Sequence, residues 1–318
     1  MTFPHKDLKF SEHKFRVHGL SEGDPYFQTL HDNMETEFVR FCEGFIRPDY
    51  TCLDVGANIG LKTLIMAARA RDGKVVAIEA APKVGEVLEL NVRSNAANVT
   101  VEKTAIGDRA SRGTVLFHED SAYGYISETG VEIPVTTLAA LSKKHDLKRV
   151  DFIKIDVEGS EFAILKDSLD FINANETLVY VEFSVWTQIT NAQVHPKEFA
   201  KWLLKNFSHV YLVNKLAAQD KILSRIHADN WLGLLQHNCF TAAFVDDLVV
   251  TNSPWRLEAT GIERMAALAQ RDAAFAERDA AVAERDAALA QVLALQNSSS
   301  WRLTSGLRKI GALLRSKP

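Results

Sequence analysis

Between about residues 50 and 248, compact apolar runs alternate with stretches of helical period. Thr51–Val55 (TCLDV), Lys74–Ile78 (KVVAI), Asn98–Ala105 (NVTVEKTA), Asp151–Val157 (DFIKIDV) and Thr177–Phe183 (TLVYVEF) read as strands. Leu61–Ala70, Pro82 to about Asn95, Glu161–Leu169 and Lys197–Asn206 read as helices, while His209–Val213 and Phe240–Val245 are the last strand-like runs. Phe27–Ile46 reads as a helix ahead of the first strand. Strand, crossover helix and strand in repetition predict an α/β fold, a mostly parallel sheet with helices on both faces. Such sheets bind ligands at the carboxyl ends of their strands, near the switch point.

From Gly261 the pattern changes. Thirteen Ala fall within residues 261–300, and a seven-residue unit recurs, beginning at Arg271, Arg278 and Arg285. Ala, Glu and Arg favour helix, so a long C-terminal helix is expected over 261–297, with a coiled coil and homo-oligomer as its natural use. Its seam is thin: Leu268, Phe275, Val282 and Leu289 supply one large apolar position per unit instead of two. The expected organisation is a helical or irregular lead-in over 1–49, a ligand-binding domain over 50–250, the heptad helix over 261–297 and a basic tail over 298–318.

Net charge sharpens that division. The overall −4 resolves into +5 on residues 301–318, −2 on 261–300 and −7 on 1–260. An acidic body argues against nucleic acid as a partner. Cys42, Cys52 and Cys239 contain no CxxC pair, which argues against a disulfide framework or a structural zinc site and fits a cytoplasmic location. The first fifteen residues lack the apolar run of a secretory signal, and no stretch approaches the length of a membrane span.

The candidate chemistry sits at strand ends. Leu53-Asp54-Val55-Gly56-Ala57-Asn58-Ile59-Gly60 joins the first strand to its helix, with glycines where backbone must turn and approach a ligand. Its G-x-x-x-G is neither the G-x-G-x-x-G of a nicotinamide dinucleotide site nor a nucleoside triphosphate loop. Asp54 suits a ligand bearing positive charge. Glu79 ends the second strand, where an acid can accept hydrogen bonds from both ribose hydroxyls. Gly107-Asp108 follows the third strand, in place to border an adenine. Ile153-Lys154-Ile155-Asp156-Val157-Glu158-Gly159-Ser160-Glu161 brings Asp156 and Glu158 to the sheet's edge, with Lys154 and Asp156 on one strand face. Ser160 can cap the next helix, and Glu161 sits in its first turn.

DVGANIG, a strand ending in Glu, Ala-Ile-Gly-Asp and then KIDVEGSE together resemble the FkbM family of S-adenosylmethionine-dependent methyltransferases over about residues 35–185. The resemblance implies a class I methyltransferase (Rossmann-like) fold with S-adenosylmethionine as cofactor. It implies Asp54, Gly56, Ala57, Asn58 and Gly60 around the methionine part, Glu79 at the ribose, Asp108 at the adenine edge, and Asp156 and Glu158 near the reacting methyl. The chain departs from the family at Ala80-Ala81-Pro82, where Glu-Pro is usual, at Leu61-Lys62, where an aromatic is common, and at Ala139, where Asp is common.

Methyl transfer to a hydroxyl needs a base, and the candidates are Asp156, Glu182 and His118, the last in a candidate lid over Phe117–Gly130. Asp156 with Glu158 could instead hold a divalent cation. Ser299-Ser300-Trp301-Arg302 resembles the tails of bacterial polysaccharide-assembly enzymes, with Gly306 where Pro is usual. Its apolar and basic residues suit an amphipathic helix at an anionic membrane surface, or a docking peptide for a partner enzyme. The expected activity is O-methylation of a sugar hydroxyl on a glycan or glycolipid, close to the inner membrane. Methylation of a small metabolite or polyketide-like hydroxyl, and a non-catalytic oligomeric scaffold retaining the fold, are the alternatives.

Overall fold

The chain enters its sheet only after a hairpin and two helices. The computed structural model describes residues 3–96, 98–107, 113–120, 124–214, 223–227, 229–240, 245–257 and 285. Strands β1 (His5–Phe10) and β2 (His13–His18) pair antiparallel and bury Leu8, Phe10, Phe15 and Val17 from alternate positions. The buried Asn91 fastens this hairpin: its Oδ1 accepts from His18 N at 2.7 Å, and its Nδ2 donates to His18 O at 3.1 Å and Ile59 O at 2.8 Å. The helix expected over 27–46 is instead two, α1 (Pro25–Thr29) and α2 (Thr36–Phe45). Asn33 and Glu35 between them have positive φ, which a continuous helix does not allow.

The doubly wound core follows. β3 (Thr51–Val55), α3 (Leu61–Arg69), β4 (Lys74–Ile78), α4 (Pro82–Asn95) and β5 (Val99–Glu102) make the first half. A small sheet then interrupts it, formed by β6 (Ala105–Ile106), β7 (Thr114–His118), β8 (Tyr125–Ser127) and β9 (Val131–Thr136) in the order β6-β9-β7-β8. The second half comprises α5 (Leu138–Lys144), β10 (Phe152–Ile155), α6 (Glu161–Asp167), α7 (Leu169–Ala174), β11 (Leu178–Ser184), α8 (Val185–Thr190), α9 (Pro196–Asn206) and β12 (His209–Val213). β13 (Leu223–Ile226), α10 (Trp231–Phe240) and β14 (Val245–Thr251) complete it. The run expected as a strand over Phe240–Val245 is corrected: Phe240 ends a helix, and the strand begins at Val245.

The main sheet has the order β13-β12-β14-β11-β10-β3-β4-β5. β3, β4, β5, β10 and β11 are mutually parallel, whereas β14 runs antiparallel between β11 and β12. Chain order reverses between β3 and β10, so their carboxyl ends form the switch point. One face packs Leu53, Ile153, Val179, Val181, Phe183 and Val250 against apolar side chains of α5, α6, α7 and α9. On the other, α2 sets Phe41 against Phe152 and Tyr180, with ring centroids 5.7 and 5.2 Å apart. That second face also carries charge in its interior, at Asp54 and Lys154.

No helix among the described residues is long and apolar enough to cross a membrane. The three cysteines are free. The Ala-rich repeat and the basic tail expected at 261–297 and 298–318 lie outside the described residues, Arg285 apart.

Candidate active site

A cleft opens at the carboxyl ends of β3, β4 and β10. Gly56, Asn58, Glu79, Asp156 and Glu158, all singled out by their place at strand ends, line it together. The turn after β3 is pinned by the next strand, since Gly56 N and Ala57 N both donate to Ile78 O, at 3.0 and 2.9 Å. Gly56 has φ +77°, and a Cβ there would lie 1.8 Å from the Asp156 carbonyl oxygen. Only glycine fits where the two strand ends touch.

Glu79 is held in place by backbone. Its Oε2 accepts from Asn58 N and its Oε1 from Ala81 N, both at 2.8 Å. Burial lifts its carboxyl above the usual range against the pull of those two N–H groups. Each oxygen retains acceptor capacity toward the cleft.

Beneath the cleft lies a row of charges crossing the strands. Lys154 Nζ donates to Gly56 O at 2.7 Å and stands 3.2 Å from Asp54 Oδ1 and 3.4 Å from Asp156 Oδ2. Thr63 Oγ1 donates to Asp54 Oδ2 at 2.5 Å. From α3, Lys62 reaches Asp156 Oδ2 at 3.3 Å and Glu35 at 3.6 Å. Burial pulls both lysines down, but the carboxylates around them more than offset it, so both ammonium groups are held above their ordinary values. Burial likewise pushes Asp156 up, yet Lys154 and Lys62 outweigh it and bring its carboxyl down to about 2.

The loop after β10 is built by Glu161. Its carboxylate accepts from Val157 N at 2.9 Å and from Gly159 N at 3.0 Å, and Gln188 of α8 donates to it at 2.9 Å. These bonds hold Glu158 at φ +55° and Gly159 at φ +117°. Asn191 Nδ2 adds a bond to Glu158 O at 2.9 Å. Burial, then the nearby Asp156 and Glu161 carboxylates, push Glu158 up to about 8. Glu182, at the end of β11, is raised well above its ordinary value, first by burial and then by Asp156. One carboxylate oxygen from each of Asp156, Glu158 and Glu182 lies within 4.8 Å of the others.

Some expected residues are placed differently. Asp54 is 0% exposed and is not among the cleft-lining residues; it meets Thr63 and Lys154 beneath them. The Ala57 side chain packs into a small apolar cluster with Ala77, Leu88 and Val92. Gly60 is the N-cap of α3, at φ +96°, and is not among the cleft-lining residues. Asp108 lies outside the described residues. His118 is exposed at the end of β7, its ring 5.2 Å from that of Tyr125. The candidate lid over 117–130 includes β8 and the ends of β7, and Phe117, Gly124 and Ile126 wall the cleft. Lys62 and Glu35 were not among the candidate site residues.

Residues 54–213 match the methyltransferase FkbM domain. Methyltransferase sdnD of Sordaria araneosa is 26% identical over 151 residues, which covers 36% of this chain. The match spans 58% of that relative's length. Among solved structures, the methyltransferase FkbM from Methylobacillus flagellatus KT is 16% identical with a TM-score of 0.36, over 64% of this chain and 44% of that one. The O-methyltransferase from Bacillus cereus, solved with SAH, is 16% identical with a TM-score of 0.37, over 68% of this chain and 80% of its own.

Proposed function

Because this chain belongs to the FkbM methyltransferase family, we propose that it moves a methyl group from S-adenosylmethionine to a sugar hydroxyl of a bacterial cell-surface glycan or glycolipid. The observation that carries the donor is Glu79, a carboxylate fixed on the cleft wall by Asn58 N and Ala81 N, with lone pairs left for two ribose hydroxyls. Gly56 and Asn58 on the same wall suit the methionine part, while Phe117 and Ile126 offer apolar surface for an adenine.

Asp156 and Glu158 line the cleft, and one carboxylate oxygen of Glu182 lies within 4.8 Å of one from each. The acceptor hydroxyl gives its proton to a carboxylate there, and its oxygen lone pair forms the new C–O bond. The C–S bond breaks with its electron pair left on sulfur, yielding a methyl ether and S-adenosylhomocysteine. Transfer neutralises the sulfonium, so catalysis rests mainly on alignment. A row of carboxylates suits a polyhydroxylated acceptor, whose hydroxyls are donors. The sugar reading draws further on the Ser299–Arg302 tail, and on that basis the tail meets a membrane surface or a partner enzyme while the 261–297 repeat joins copies of the chain.

Calorimetry with S-adenosylhomocysteine tests the donor. Glu79→Ala removes charge-assisted hydrogen bonds of about 1.5–3 kcal/mol, so affinity falls roughly 10- to 100-fold. Equal binding by wild type and variant overturns the assignment. For the acceptor, mass spectrometry of surface glycans from cells with and without the gene should show the loss of one CH₂ per modified site. Unchanged glycans overturn that part alone.

A further inference from the structure

The donor cleft does not account for all of its neighbouring acids. Glu182 is not among the cleft-lining residues, and its Oε2 is sealed from solvent and accepts no hydrogen bond. The two lysines do not reach it, because Lys62 and Lys154 both spend their charge on Asp156 Oδ2. A buried carboxylate oxygen without a partner costs on the order of 1–3 kcal/mol, and more when ionised. Its carboxylate is grouped with those of Asp156 and Glu158, one oxygen from each lying within 4.8 Å of the others.

We propose that Asp156, Glu158 and Glu182 bind a divalent cation of the magnesium, manganese or calcium class, which holds the acceptor's oxygen beside the donor methyl. Spacing supports this. Oxygens on opposite sides of one ion are separated by twice the metal–oxygen distance, about 4.0–4.2 Å for magnesium and about 4.6–5.2 Å for calcium. One oxygen from each of the three carboxylates lies within 4.8 Å of the others, so a single ion can draw all three together with side-chain adjustments of under about 1 Å each. The donor set is all carboxylate, as hard cations prefer. The charge balance also leaves room: Glu35, Asp54, Asp156 and Asp247 already surround Lys62 and Lys154, and Glu158 and Glu182 add two further acids beside Asp156.

Position gives the ion its role. Asp156 and Glu158 line the donor cleft and Glu182 does not, so the ion stands at the boundary between donor and acceptor. One oxygen of each carboxylate suffices as ligand, leaving the second to take a proton. A hydroxyl bound to the ion is more acidic, which lowers the basicity required of that carboxylate. The role in acceptor binding rests on the methyltransferase reading; the existence of the site does not.

The probe is Mn²⁺ alone, followed by electron paramagnetic resonance on chelator-treated full-length protein. One Mn²⁺ per chain should bind at about 1 mM or below and remain bound in saturating S-adenosylmethionine. Glu182→Gln should weaken Mn²⁺ about tenfold or more while leaving S-adenosylhomocysteine affinity unchanged, since Glu182 is off the donor wall. Glu158→Gln supplies a second ligand variant if the first does not fold. The proposal is overturned if wild type binds no Mn²⁺ at about 1 mM, or if a folded ligand variant binds it as wild type does. It is also overturned if S-adenosylmethionine expels Mn²⁺, because the carboxylates then serve the sulfonium. Mn²⁺ binding with no S-adenosylhomocysteine binding would support the site and remove the donor reading.

Discussion

Replacing Lys154 with Met should be among the most damaging single changes in the sheet. The side chain is 2% exposed and its ammonium lies 3.2 Å from the fully buried Asp54 carboxylate. At an effective dielectric of about 20, that separation corresponds to roughly 5 kcal/mol of attraction before desolvation is deducted. Met fills similar volume but leaves Asp54 with only its Thr63 bond, and leaves Gly56 O without its donor. Breaking one side of a buried pair typically costs about 3–5 kcal/mol, chiefly because the surviving charge is stranded. For a body of this size each kcal/mol lowers Tm by about 2–4 °C, so Lys154→Met should melt on the order of 10 °C earlier. Urea denaturation followed by tryptophan fluorescence gives the free energy, and scanning fluorimetry the Tm. The double change Asp54→Asn with Lys154→Met removes the stranded charge and should recover about half the loss or more. A loss under about 1 kcal/mol, or a double variant no more stable than Lys154→Met, would refute the account.

Other expectations concern the turn, the hairpin and the acids. Gly56→Ala places a Cβ 1.8 Å from the Asp156 carbonyl at φ +77°; backbone strain of about 1–3 kcal/mol should spread the two strand ends and weaken S-adenosylhomocysteine about tenfold or more by calorimetry. Affinity within about twofold of wild type would mean that the turn does not shape the cleft. Asn91→Ala strips the buried partner from His18 N and Ile59 O and should cost about 1–3 kcal/mol in urea denaturation; no loss would show the hairpin anchored elsewhere. Glu158, lifted from an ordinary 4.5 to about 8, favours the native state fully below pH 4.5, and that contribution is lost as pH rises through 8. Metal-free Glu158→Gln should therefore gain stability over wild type progressively from pH 5 to 9. A pH-independent difference in chemical denaturation would contradict the shift.

Strands buried on both faces were the readable part of this fold. Thr51–Val55, Lys74–Ile78 and His209–Val213 have the ends that their apolar runs predict, as does the helix Pro82–Asn95. Edge and insertion elements were harder, because their burial alternates and their partners are distant: the hairpin His5–His18 and the strands β7 to β9 carry too few consecutive apolar residues to stand out. α10 buries only Leu234 and Asn238, so its periodicity is faint. The site divides in the same way. Glycines and acids at strand ends can be read as a row because topology orders strand ends. Lys62 could not be assigned, because its ion pair joins residues 94 apart through helix packing. The burial of Asp54 is likewise not legible, since position along a strand does not say which side of the floor its carboxylate occupies.

The antiparallel β14 bears on where this protein can be cut. The family match ends at residue 213, while β14 begins at Val245, yet in the sheet it lies between β11 and β12, both inside the match. A fragment ending at 213 would expose two strand edges facing an empty slot one strand wide, a template for pairing with other chains. The matched segment is thus shorter than the smallest piece able to close its own sheet. Soluble expression should need at least Thr251, and aggregation of shorter pieces would reflect a missing strand, not a lost active site.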